Sequence, residues 1–450
     1  MKHNAESYLP DTLDLLGIGI GPFNLGLAAL LERVPETQAV FLERKPRFEW
    51  HAGMMIDGTT LQVPFFADLV TMADPTHRLS FLNYLQEHGR LYHFYFLERF
   101  HISRAEYDHY CRWAAERLEA CRFGWEVAEV TLEENGGESR FAVEAEELAT
   151  GRRTRCYARD LVLGVGSRPR VPARLNAPGA PNAFHSSAYM ANRERCLQGR
   201  SITVIGSGQS AAEIVLDLIR EQKKLGFRLD WFTRSQGFFP MEYSKLGLEH
   251  FSPDYTRYFY GLPQDHKDEI RAGQNLLYKG ISAGTIADIY DALYDAGEAG
   301  AAAPQVRLMA CTEVERLLPG EGEGGGFRLD CRQLQQDASF QHDSEFVILA
   351  TGYEHAEPAC LAPIASRLQR DSQGRLAVSE HYELRLNADG GSRIFIQNGE
   401  LHTHGVGAPD LGLGAHRNSV IIRELTGREV YPVRSRNVFQ QFGVGDERKG

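Results

Sequence analysis

The sequence predicts an α/β protein made of two Rossmann-like dinucleotide-binding domains with a small helical subdomain. Three observations lead there. Two segments about 190 residues apart each read as an apolar strand, a glycine-rich turn and an amphipathic helix. Two further apolar strands run into glycine turns, LVLGVGSRPRVPA at 161–173 and FVILATGYE at 346–354, as expected where a chain leaves one domain and later re-enters it. Between them, helical periodicity replaces strand periodicity from about 245 to 300.

The first unit is LDLLGIGIGPFNLGLAALLERV. Leu13 to Ile18 is the expected strand, Gly19 and Gly21 the turn, and Pro22 the opening of a helix, where a residue without an N–H loses nothing. The next strand, Gln38 to Leu42, ends in Glu43, about 20 residues on, where a carboxylate would hold an adenosine ribose by its hydroxyls. That pattern suits FAD. Ser103 and Glu106 in SRAEYDHYCRWAAERLE make a capping box before a helix.

The second unit, SITVIGSGQSAAEIVLDLIREQKK, has Ile202 to Ile205 as strand and Gly206, Gly208 and Ala211 at G-x-G-x-x-A spacing. Its following strand, RLDWFT, ends in Arg234 and Ser235. With no carboxylate to read a 2′-hydroxyl, an arginine and a hydroxyl there favour a 2′-phosphate, hence NADPH, although a solvated loop arginine would look the same in sequence. Asp254 to Tyr260 and Thr285 to Tyr294 form the helical subdomain, and the stripe Tyr255, Tyr258 and Phe259 reads as core packing. The expected domains are 1–195 for the first part of the FAD-binding domain, 196–345 for the NADPH-binding domain, and 346–437 for the second part of the FAD-binding domain. The stretch 318–326 reads as a flexible loop and 438–450 as a flexible tail.

Composition narrows the function. Against 60 acidic residues stand 49 Lys plus Arg, a net charge of −11, which argues against a nucleic-acid binder. Seven scattered cysteines with no Cys-x-x-Cys suit a reducing cytosol, and no run of 18 apolar residues occurs, so the chain reads as soluble and cytoplasmic. His402, His404 and His416 are too weak a set to be metal ligands.

Six motifs together resemble the flavin-dependent N-hydroxylating monooxygenases of siderophore biosynthesis, which act on ornithine, lysine or diamines. They are GIGPFNL at 19–25, FEWHAGM at 48–54, LQVPFFADLVTMADPT at 61–76, GSGQSAAE at 206–213, ATGY at 350–353 and LHTHGVGAPDLGL at 401–413. Asn24, in place of the third glycine, is usual in that family. The resemblance implies that NADPH reduces FAD, that O₂ forms a C4a-hydroperoxyflavin which oxygenates a neutral amine, and that no side chain serves as acid or base. It implies that Trp50, His51 and Gln62 lie beside the flavin, that Gln209, Ser210 and Arg234 hold NADP, that Thr351 and Gly352 border the cofactors, and that His404 and Asp410 contact flavin or close the site. It also implies a homo-oligomer, a tetramer in the family's usual form. A two-dinucleotide flavin reductase and a flavin-binding sensor without turnover share the layout, though such reductases often carry a redox Cys-x-x-Cys and this chain has none.

Within LQVPFFADLV the amino-acid hydroxylases of the family carry a lysine at the position of Ala67, which pairs with the substrate carboxylate. A carboxylate brought into a partly buried site without a counter-charge costs several kcal/mol. The expected substrate is therefore a diamine, cadaverine or putrescine, with lysine retained as the alternative if Lys245 or Lys279 compensates. Glu249 is the expected acceptor for the distal ammonium. Leu248 and Leu277, near places where the ornithine branch has asparagines, agree with a less polar substrate.

Overall fold

The computed structural model describes residues 9–297, 305–320, 326–387 and 390–444. Thr12–Ile18 lies at the centre of the first sheet, parallel to Ala39–Glu43 on one side and to Arg152–Leu163 on the other. Cys121–Phe123 and Arg393–Ile396 continue the parallel order outward. Leu13, Leu15, Leu16 and Ile18 are all buried, the unbroken apolar run that a strand covered on both faces requires. An antiparallel hairpin, Trp125–Asn135 with Glu138–Glu147, continues along Arg152–Leu163.

The second sheet is wholly parallel, in the order Val306–Met309, Arg228–Phe232, Ser201–Ile205, Phe346–Leu349 and Ala183–His185. This corrects the expected boundaries. Ala183–His185 and Phe346–Leu349 belong to the inserted body, so that body starts before 183 and ends after 349 instead of spanning 196–345. FVIL and the LVL of the first body are interchangeable as apolar strings, and only the hydrogen-bond ladder tells them apart. The chain passes between bodies where Ser167–Pro169 pairs antiparallel with Tyr353–His355.

The helical segment joins both bodies. Its Pro253–Tyr260 helix packs on Leu401–His404 of the first body, while Ala283–Ala296 packs on Gln209–Leu225 of the second. Ser252 and Ser282 cap these helices by accepting from the N–H groups of Tyr255 and Thr285 at 3.2 and 3.1 Å. Tyr255 and Phe259 are buried around Val406, with Tyr258 partly buried against them. Residues 298–300 of the expected subdomain lie outside the described residues.

Three local expectations change. Ser103 caps Arg104–Ala115, accepting from the Glu106 N–H at 3.1 Å, but the Glu106 carboxylate pairs with Arg90 instead of completing the box. The base of the 318–326 loop is an antiparallel turn, with Pro319 opposite Phe327 and the Gly320 N–H donating to the Gly326 carbonyl at 2.7 Å; residues 321–325 lie outside the described residues. The tail is docked over its described part, because the Phe439 and Gln440 N–H groups donate to Glu249 and Phe442 packs 4.8 Å from Tyr255. Residues 445–450 lie outside the described residues.

An ion pair clamps the two bodies. Arg104 donates to both carboxylate oxygens of Glu213, at 3.0 and 2.8 Å, and to the Met54 carbonyl at 2.7 Å. Beside it, a Cβ on Gly53 would fall 1.6 Å from the Ser187 carbonyl oxygen, so only glycine permits this backbone approach. Replacing Arg104 by Leu strands Glu213 without its charge partner. Chemical denaturation should show a loss of about 3–5 kcal/mol, against under about 1 kcal/mol for Arg90→Ala at the solvent-exposed pair with Glu106.

Candidate functional site

Each glycine loop leaves the C-terminal end of a central parallel strand, where a helix N-terminus presents free N–H groups. Gly19 has φ +87°, and a Cβ there would lie 2.6 Å from the Gly164 carbonyl oxygen. Gly21 precedes Pro22–Leu30 with no side-chain cap, leaving the N–H groups available. Glu43 closes the loop from the neighbouring strand, accepting from the Ile20 N–H at 2.9 Å and the Lys45 N–H at 3.0 Å.

Asn24 does by hydrogen bonding what a third glycine does by absence. Its amide donates to the Gly19 carbonyl at 2.8 Å and accepts from Gln397 at 2.7 Å, tying the first loop to the C-terminal motif. The side chain fills the space beside Gly164, where a Cβ would come within 2.4 Å of it.

In the second loop Gly206 has φ +145° and leaves 2.2 Å between a hypothetical Cβ and the Ala350 carbonyl oxygen. Gly208 precedes Gln209–Leu225 without a side-chain cap, and Ala211 is fully buried at the third position. Ser207 and Ser235 hydroxyls lie 2.8 Å apart, joining the glycine loop to the end of the next strand, with Arg234 exposed beside them. Ser210 is half-buried in the first turn of the helix. Gln209 is engaged in packing: it accepts from the Ser282 N–H at 2.7 Å and donates to Glu213 and Thr285, both at 3.0 Å.

The structure brings Trp50 and His51 together at the mouth between the bodies. The Trp50 ring stands edge-on to His51 at 4.5 Å and to Tyr107 at 5.0 Å, and the Trp50 backbone N–H donates to Asp108 at 2.7 Å. His51 sits in left-handed backbone, φ 50°. The surrounding protein, and then the Arg104 and Lys45 charges, push its imidazole down to about 4 although the residue is exposed; it is neutral at physiological pH. Gln62 is half-buried and donates to the Thr60 carbonyl at 3.3 Å. Thr351 and Gly352 lie at the crossing between bodies, where Thr351 donates to the Arg170 carbonyl and the Gly352 carbonyl accepts from the Arg170 N–H at 3.0 Å and from His185.

A small pocket lined by Pro22, Phe23, Asp68, Leu69, Tyr107 and Leu411 lies beside the first loop, and its Asp68 wall follows Ala67 in the chain. Ala67 is buried, and its methyl faces the Asp410–Leu413 turn: a Cβ on Gly412 would lie 3.9 Å from the Ala67 Cβ and 2.8 Å from Asp410 Oδ1. Burial pushes the Asp410 carboxyl up to about 6, opposed by the Gly412 N–H, which donates at 2.7 Å, and by the Arg417 charge. Tyr243 faces this carboxylate, and burial followed by the Asp410 charge pushes its phenol up to about 12.

Other expected site residues lie elsewhere. Glu249 is committed to the chain end, so the expected acceptor of a distal ammonium is the anchor of the tail. His404 is buried, stacked on Tyr382 at 4.5 Å and 5.2 Å from Tyr260, with Nδ1 accepting from Thr403 and Nε2 directed at the Glu380 carbonyl. Burial drives its imidazole down to about 3. It packs the helical segment onto the first body. Leu277 packs on the Tyr255 cluster, and Leu248 is exposed.

Sequence reasoning missed the pair behind the C-terminal motif. Arg417 and Glu400 are buried 3.0 Å apart, and Arg417 donates to the Ala408 carbonyl at 2.6 Å and lies over the Phe23 ring at 4.7 Å. The available signal was two charges flanking an otherwise apolar, glycine-rich motif.

Two uncapped helix N-termini behind paired glycine loops on two parallel sheets define a protein built to bind two dinucleotides. The chain belongs to the L-lysine 6-monooxygenase/L-ornithine 5-monooxygenase family, whose model matches residues 11–355. It is 49% identical over 436 residues to the rhizobactin siderophore biosynthesis protein RhbE of Rhizobium meliloti, covering 96% of this chain and 95% of that protein. It is 42% identical over 435 residues to the putrescine N-hydroxylase of Shewanella oneidensis, covering 95% of this chain and 84% of that protein. The FAD-bound crystal structure of DfoA, the desferrioxamine-pathway cadaverine monooxygenase of Erwinia amylovora, superposes with a TM-score of 0.91 at 43% identity, covering 97% of this chain and 99% of that one.

Truncating Asn24 to Ala removes the acceptor of a buried amide and the donor to Gly19. Thermal unfolding should show a loss of about 1–3 kcal/mol, and the purified protein should carry less flavin, read from visible absorbance relative to protein.

Proposed function

We propose that the protein uses FAD and NADPH to N-hydroxylate one terminal amine of an aliphatic diamine, cadaverine or putrescine, as a step toward a hydroxamate siderophore. The observation that carries this is the juxtaposition of Ala67 with Asp410. Where a cation would receive a substrate carboxylate there is a methyl group, and beside it a carboxylate suited to an ammonium. Of the two cations that would have kept lysine as substrate, Lys245 is exposed on its helix and the Lys279 ammonium lies over the Tyr278 ring at 5.1 Å. The names of the Shewanella and Erwinia relatives support the same substrate class.

The donor set fits both cofactors. The uncapped N–H groups after Gly21 and Gly208 would receive pyrophosphates, Glu43 would receive the adenosine ribose of FAD, and Arg234 with the Ser207–Ser235 pair would receive a 2′-phosphate. Reduced by NADPH in the presence of O₂, the flavin supplies the oxygenating chemistry. The chain positions and shields. Asp410, anionic at neutral pH, holds the distal ammonium and so directs the other, neutral amine toward the cofactor. Ala67, Leu69 and Val70, all buried, keep water from the reacting end. Buried thiols at all seven cysteines suit the reducing cytoplasm, where NADPH is available, and among the described residues no helix is long and apolar enough to cross a membrane. Cell fractionation that finds the protein outside the cytoplasm would reject that placement.

Product assays with cadaverine, putrescine, lysine and ornithine test the reading, and efficient lysine hydroxylation would reject it. Ala67→Lys should depress diamine turnover by placing a like charge beside the ammonium. Asp410→Asn should lower diamine kcat/KM by about 10- to 100-fold, the worth of one charge-assisted hydrogen bond. Because the Asp410 carboxyl titrates near 6, kcat/KM in the parent should fall as pH drops through that value; the variant should lack that limb. Arg234→Ala should raise the KM for NADPH and leave that for NADH unchanged.

The homo-oligomer also belongs to this proposal. Its support is the Leu91–Leu97 helix, which packs Phe94 on the core and leaves Tyr92, Tyr95 and Phe96 at 78, 70 and 74% exposure, with Phe100 alongside at 57%. An aromatic patch of this kind is an interface feature, and a second copy of the chain would cover it. Light scattering of the Tyr92→Ser/Phe96→Ser variant should show a smaller species than the parent. A monomeric parent would reject the assignment.

A further inference from the structure

A cavity of about 200 Å³, walled in part by His402 and Thr403 of the C-terminal motif, lies between the Gln264–Gly273 helix and the 376–378 segment. Lys267, Arg385, Tyr260, Gln264, Asp371 and Thr403 contribute to its walls. Lys267 is 94% buried, since its relative exposure is 6%, and its ammonium lies over the Tyr260 ring at 4.8 Å.

The charge pattern around the cavity is uneven. Asp268, whose charge reaches Lys267, and Asp371 on the cavity wall are both held by Arg375, which donates to Asp268 at 2.6 and 2.9 Å and to Asp371 at 2.7 Å. Asp371 also accepts from the Gln373 and Arg375 N–H groups, each at 2.9 Å, and Asp268 has a second cation in Arg271 at 3.5 Å. Lys267 and Arg385 are left with no ion-pair partner among the described residues. On the cavity wall itself Lys267 and Arg385 stand with one carboxylate, Asp371, which Arg375 already holds. A buried ammonium without a counter-charge is a costly arrangement unless something anionic reaches it. Burial holds the Lys267 ammonium below its usual range, in keeping with that cost.

We propose that this cavity is a binding site for a small organic polycarboxylate, with one carboxylate on Lys267 and another on Arg385, and with the carbon skeleton against Leu376 and Val378. The volume exceeds that of a free phosphate, and the mixed polar and apolar wall suits a carbon chain bearing acids at its ends. The site is separate from the amine site proposed above and does not depend on it. Its ligand would touch the same His402–Thr403 segment that leads into Asp410.

Isothermal titration of the flavin-loaded full chain with citrate, succinate and inorganic phosphate, at constant ionic strength set by chloride, tests this. The expected result is binding of citrate or succinate, weakened about tenfold or more by Lys267→Met and by Arg385→Gln through loss of a charge-assisted contact, with phosphate binding much more weakly. Arg385 is exposed, so its variant should keep the fold and makes the test independent of any damage from the buried substitution. The proposal is overturned if neither carboxylate binds at millimolar concentration, if phosphate binds as tightly as they do, or if affinity is unchanged in the Arg385 variant.

Discussion

The buried contact between Arg417 and Glu400 is the constraint on which the site's geometry depends. A guanidinium and a carboxylate so far from water are tolerated only when each also meets other polar or polarisable groups. Arg417 does so with the Ala408 carbonyl and the faces of Phe23 and Tyr382, and Glu400 with the Gly399 N–H. These contacts place the turn carrying Asp410, the residue next to Pro22 in the first glycine loop, and the Gly414–Thr426 helix in one arrangement. The position of an acidic group beside Ala67 follows from an ion pair that itself touches neither.

Relative placement of the two sheets has a similar origin. Arg104 and Glu213 come from residues 109 apart in sequence and meet where Gly53 admits the Ser187 carbonyl. The helical segment adds a second tie, since one of its helices lies on each body. Gln209 shows how the ties overlap: at the start of the second glycine-loop helix, it accepts from the Ser282 N–H at the cap of Ala283–Ala296 and donates to Glu213, the partner of Arg104. The mouth holding Trp50 and His51 is therefore framed by contacts among three parts of the chain and not by any single loop.

Much of the fold could be read from local pattern. The strand Leu13 to Ile18, the helix opened by Pro22 and the strand ending in Glu43 appear within a residue or two of their expected limits, because apolar runs and glycine punctuation act over a few residues. The partners of Glu249 and His404 were not legible, for the opposite reason. A glutamate in a polar helical stretch and a histidine in a glycine-rich motif carry no local mark of the chain end or the tyrosine pair that engages them. Ser103 capped as its spacing foretold, while Glu106 turned to Arg90, a partner 16 residues away whose approach depends on tertiary packing.

By itself the sequence determined the two strand–loop–helix units, the glycines whose missing Cβ atoms let backbone segments approach, the acid at 43, the base at 234, and the absence of a cation at 67. All of these are properties of residue type at fixed short spacing. Tertiary structure decided which apolar strand joined which sheet, that Asp410 and not Glu249 stands beside Ala67, and that Lys267 lies buried while its nearby carboxylates belong to Arg375. Those outcomes depend on which distant side chains compete for the same partner, and that competition is settled only when the chain has folded around them.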